Sequence, residues 1–160
     1  MSNRSVAIET QAGTSLLEVL IAVVVLSLGL LGLAGLQVAG LRVNQGAMQR
    51  SQATMLAYDV FDRMRSDRTA ALAGKYDVGT TSPVSSEVLA DSTNLSLKHW
   101  GLSLGHALVG AEGRICRTNN PASMACAGAG EYFIVEIRWV DENDRKAGAT
   151  KQTVSVLGQL

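Results

Sequence analysis

The sequence predicts an α+β fold: a long N-terminal helix packed on a small antiparallel sheet, with a short second helix. Three observations predict it. Val19 to Leu36 is an apolar run without a charge, broken only by Ser27 and three glycines. Helical spacing then continues as far as Arg65. Much later, Phe133, Val135, Ile137 and Trp139 alternate with Ile134, Glu136 and Arg138, the period of a strand with one apolar face.

The first element is the long helix. About 20 apolar residues cross the hydrocarbon of a bilayer as a helix, and the run with its flanking leucines reaches that length. A cleaved secretory signal has an apolar core of only about 7 to 15 residues. Beyond Leu36, Leu41, Met48 and Met55 recur every seven residues, and Leu56, Val60 and Met64 follow at spacings of four. This stripe is expected to pack under a folded head, with the methionines as core filler. From position 14 to Arg65 such a helix would measure about 80 Å. The chain thus divides into a membrane half over 14–37, an amphipathic half over 38–68 and a head over 69–160. Gly29, Gly32 and Gly35 weaken the helix by about 1 kcal/mol each relative to alanine, and small residues of this kind let membrane helices approach closely.

The head follows. Thr69 to Ser86 is rich in small and polar residues with Pro83 inside, and reads as an exposed connection. Leu97, Trp100, Leu104 and Leu108 recur at helical spacing with Gly110 as a stop. A strand is expected around Arg114 to Arg117, and Thr153 to Leu157 is the expected partner of Phe133 to Trp139 in a hairpin over 131–157. Its tip, Asp141 to Gly148, lacks the spacing and terminal glutamate of a calcium loop.

Charge excludes some functions. Lysine plus arginine equals aspartate plus glutamate at 14 each, so no global field recruits nucleic acid. No converging acid, base or nucleophile suggests an enzyme, and His99 and His106 have no ligand-type residue at metal spacing. No cofactor is implied. Cys116 and Cys126, an even count behind an export-type segment, suggest a disulfide in an oxidising compartment. A ring of that size stabilises by a little under about 3 kcal/mol on the loop-entropy model.

Glu18 stands at the head of the apolar run. A carboxylate at mid-bilayer costs about 2.5 to 3.5 kcal/mol and less near an interface, so a partner is to be sought. One is local: Ser15-Leu16-Leu17-Glu18 fits a capping box. The other is an amine within the membrane, which cleavage after Gly13 would create on Thr14.

Gly13 followed by Thr14-Ser15-Leu16-Leu17-Glu18-Val19-Leu20-Ile21-Ala22 resembles the class III signal of type IV pilins and pseudopilins. The resemblance implies a leader over residues 1–13 that prepilin peptidase removes, Thr14 as the mature N-terminus, and Glu18 as the group that meets a neighbouring subunit's amine during assembly. The family usually begins its mature chain with phenylalanine, which bears on methylation of Thr14. Arg50 to Asp59 and Asp62 to Arg65 extend the likeness toward minor pilins of the type IV pilus, and together with the helix it covers roughly the first 70 residues. Implied partners are other minor pilins, the major pilin, the inner-membrane assembly platform and a tip adhesin. The implied location is the inner membrane with a periplasmic head. The flanking charges run the other way: Arg4 is offset by Glu9, while Arg42 and Arg50 follow the helix. The leader, glycine and glutamate in combination are the more specific signal. A minor pseudopilin of type II secretion and a pilus-tip adhesin are the alternatives within the resemblance.

Overall fold

The helix that dominates the chain, α1, runs from Leu16 to Ser66. A computed structural model describes residues 15–141 and 150–160. The chain divides into two units, one ending at Leu41 and one beginning at Arg42, and each is taken by itself.

The first unit carries the apolar portion of α1. Its best 18-residue window has a mean hydropathy of 2.8 and none of it is buried within the chain. It is long and apolar enough to cross a membrane. Gly29, Gly32 and Gly35 have nothing within 4 Å of where a Cβ would stand, so no packing among the described residues requires them.

The second unit is the head. The rest of α1 is followed by α2 (Arg68–Leu72), β1 (Val84–Ser85), α3 (Ser86–Ala90), α4 (Leu95–Ala107), β2 (Glu112–Thr118), β3 (Tyr132–Trp139) and β4 (Gln152–Gln159). The four strands form one antiparallel sheet in the order β1-β2-β3-β4. Every strand therefore pairs with its neighbour in sequence, and α3 and α4 lie in the connection between β1 and β2. Phe133, Val135, Ile137 and Trp139 form the expected apolar face of β3, all buried, and Val154 and Val156 of β4 pack beside them.

The C-terminal half of α1 covers this face. The Trp139 indole N–H donates to Gln49 Oε1 at 3.3 Å, Arg50 Nη2 donates to Gln152 Oε1 at 2.7 Å, and Phe61 lies under Gly158. Those contacts fix the direction: α1 and β4 run the same way. On the same face Trp100 of α4 donates its indole N–H to the Leu56 carbonyl at 3.0 Å, so a large apolar ring is buried without an orphaned donor. Gly113 of β2 admits that ring, since a Cβ there would meet Trp100 Cη2 at 2.7 Å.

Two expectations are corrected. Leu41, Met48 and Met55 do not pack under the head: they are 62, 63 and 61 % exposed. The buried stripe is Gln49, Ala53, Ala57, Val60, Phe61 and Met64. Small Ala53 and Ala57 let the helix backbone approach the sheet, and that geometry turns the larger methionines outward. Of the methionines on α1 only Met64 fills the core. Nor is Thr69 to Ser86 merely an exposed connection. It contains α2, with Asp67 Oδ1 accepting from the Ala70 N–H at 3.3 Å. It also holds the buried Ala71 and Tyr76, a bridge between Val78 and Ile115, and the whole of β1. One aromatic in a stretch of small residues anchors the whole segment.

The helix expected around Trp100 is α4, capped by Asn94, whose Oδ1 accepts from the Ser96 and Leu97 N–H groups at 3.0 and 3.4 Å. The expected stop, Gly110, has φ of 60°. Most of the expected hairpin tip, residues 142–148, lies outside the described residues.

Candidate functional site

The site that sequence singled out begins at the N-terminus of α1. Gly13 and Thr14 lie outside the described residues. Ser15 closes the first turn: its carbonyl accepts from the Glu18 N–H at 2.9 Å and the Val19 N–H at 3.3 Å, and its Oγ accepts from the Glu18 N–H at 3.4 Å. That is one half of a capping box. The return bond from the Glu18 carboxylate is not among the bonds of the described residues, and no ion pair neutralises it there. The carboxylate stands exposed where the positive end of the helix dipole favours an anion.

Its surroundings are otherwise apolar. Glu18, Ala22 and Leu26 recur at four-residue spacing on one face, and the small Ala22 leaves a notch of about 320 Å³ shared with Val19 and Val23. A small cation entering that notch would meet an acid with no competing donor and apolar walls that strengthen the attraction. From Leu16 to Leu41 large apolar side chains are exposed all round the helix, and Leu41, Met48 and Met55 continue an exposed apolar line onto the head's portion of α1. Exposure on that scale marks a surface meant for lipid or for other chains.

Cys116 and Cys126 are bonded, with their Cα atoms 5.5 Å apart. Cys116 pairs across strands with Ile134, on the sheet face away from α1, and both are fully buried. The disulfide closes the loop after β2. Beside it Arg117 binds Asp77 Oδ2 through Nε at 2.9 Å and Nη2 at 2.6 Å, the Leu72 carbonyl through Nη1 at 3.0 Å, and the Gly128 carbonyl through Nη2 at 3.4 Å. One guanidinium thus fastens the disulfide loop to the segment after α2. A second cluster lies on the same sheet: Glu136, 4 % exposed, takes Arg114 Nη2 on one oxygen and Arg138 Nε on the other, each at 2.5 Å.

Sequence reading missed both arginine clusters. Arg114 and Glu136 are cross-strand partners, a relation that exists only once register is known. Asp77 and Arg117 are 40 residues apart. His99 and His106 are exposed on α4, and among the described residues no group of His, Cys, Asp and Glu is placed to hold a metal.

Chemically the arrangement offers an anion at the head of an apolar helix, an exposed apolar line and a cross-linked head. No family model, curated protein or solved structure matches the chain.

Proposed function

We propose that this chain is a PilV-like minor pilin, a structural subunit that helps prime assembly of the type IV pilus and stays at or near its tip. The observation that carries the proposal is Glu18: a carboxylate, fifth after Gly13, without a partner among the described residues, at the head of an apolar helix window that none of them buries. Such a group is costly in a membrane until something neutralises it. A neighbouring subunit's N-terminal amine, created by prepilin peptidase, has the right charge and depth. The exposed line Leu41, Met48 and Met55 supports the same reading, because helices of adjacent subunits would cover it.

The leader is removed after Gly13, the apolar helix holds the subunit in the inner membrane, and the head folds in the periplasm, where the disulfide forms. Glu18 carries one further consequence. A subunit with nothing above it has no amine to meet, so this one sits beneath another subunit. Its partners are other minor pilins, the major pilin and the assembly platform, and the head carries no catalytic role.

Deleting the gene and counting surface pili tests the role. The proposal predicts few pili and co-purification of tagged protein with other minor pilins. Normal pili that fail only to attach would make the head an adhesin instead, and co-purification with type II secretion components would make the chain a GspI-like pseudopilin.

A further inference from the structure

We propose that the cleft framed by Arg42 and Arg50 binds the phosphodiester headgroup of a membrane phospholipid. The cleft encloses about 480 Å³, within the range of small-ligand sites. Arg42, Val43 and Arg50 of α1 form one wall, and Trp139, Asp141 and Gln152 at the end of the sheet form the other. The two arginines stand eight residues apart on α1, about 12 Å of helix, so they bracket the opening.

Among the described residues no acid takes up their charges. Arg50 bonds the neutral amide of Gln152 at 2.7 Å and has no acid partner among the described residues. Arg42 is exposed and has neither an acid nor a hydrogen-bond acceptor among them. Asp141, the carboxylate on the wall, already has a partner of its own. The floor is rigid, because Trp139 is buried and held by Gln49. Two guanidinium groups over a firm floor suit a phosphate oxygen pair, which arginine binds in a two-pronged manner.

The lipid source follows from position in the chain. Between Glu18 and Arg42 there is no charged residue, and exposed apolar side chains continue to Leu41. Arg42 is therefore the first charge past the apolar run, where basic side chains extend to headgroup level. Val43 beside it is 73 % exposed and offers apolar surface to the glycerol and upper acyl carbons. The inference rests on the membrane-span part of the proposed function and not on pilus assembly.

Native mass spectrometry of the full chain in detergent micelles tests it, with dioleoyl phosphatidylglycerol, phosphate-free dioleoylglycerol and inorganic phosphate as probes. The expected result is retention of the phospholipid and not of the diacylglycerol. Arg42→Gln with Arg50→Gln should lower the retained fraction about tenfold, and Lys98→Gln should leave it unchanged; circular dichroism confirms that the variants are folded. Equal retention of diacylglycerol, or undiminished binding by the double variant, overturns the site. Phosphate bound without phospholipid overturns the lipid as its source. Because binding is read on purified chain, a failure of the pilus reading leaves it standing, whereas a chain recovered without detergent contradicts the span and this site together.

Discussion

Glu18 and Ser15 divide two tasks that sequence alone had left with one residue. Ser15 caps the helix with its carbonyl and hydroxyl, and the Glu18 carboxylate has no partner among the described residues. Glu18→Ala should therefore leave insertion and the head's thermal melt unchanged while reducing pilus number and recovery of partner subunits. Glu18→Gln, which keeps shape and loses charge, should reproduce most of that loss; pili restored to normal by glutamine would point to capping instead. The disulfide makes a separate prediction. Cys116→Ser should destabilise the head by a little under about 3 kcal/mol in chemical denaturation, and wild-type protein in reductant should match it. The cysteines were legible in the sequence because the loop-sized gap between them is local. Arg117 with Asp77, and Glu136 with Arg114 and Arg138, were not, because their partners meet only through the fold.

At the scale of elements, α1 presents two faces with different duties. Ala53, Ala57, Val60 and Met64 bind the head, while Leu41, Met48 and Met55 face outward. Hydrophobic spacing announced the helix and placed Val60 and Met64 on its inner face, but misassigned Leu41, Met48 and Met55, since the sevenfold spacing of large residues hid a stripe led by alanine. Met48→Glu with Met55→Glu should shift head stability by no more than about 0.5 kcal/mol per site, as exposed positions do, yet reduce assembly. A large loss of thermal stability would mean that the methionines pack inward after all. The α3–α4 pair rests on Gly101, where a Cβ would fall 2.5 Å from Leu89 Cβ and 2.6 Å from the Ala90 nitrogen. Gly101→Ala should cost about 1 to 3 kcal/mol by overpacking, measurable as a lower denaturant midpoint. That contact left no mark in the sequence: α3 is five residues long, too short for a periodic signal.

Taken whole, the chain combines a self-sufficient head with a helix that is not self-sufficient. The head buries two tryptophans, a tyrosine and two phenylalanines around one side of a four-stranded sheet. The α+β class, the long helix, α4 and the pairing of β3 with β4 could all be read from periodicity, because each is longer than a turn and carries its own repeat. The small elements between Arg68 and Ala90 could not, being built from short pieces held by Tyr76 and by bonds to β2. The unfinished business lies outside the head, in the apolar surface from Leu16 to Leu41 and the acid that leads it. Mass spectrometry of the mature N-terminus, from membranes with and without prepilin peptidase, tests that account most directly. A peptide beginning at Thr14 only when the enzyme is present is the predicted result, and an intact Met1 leader in both samples would contradict it.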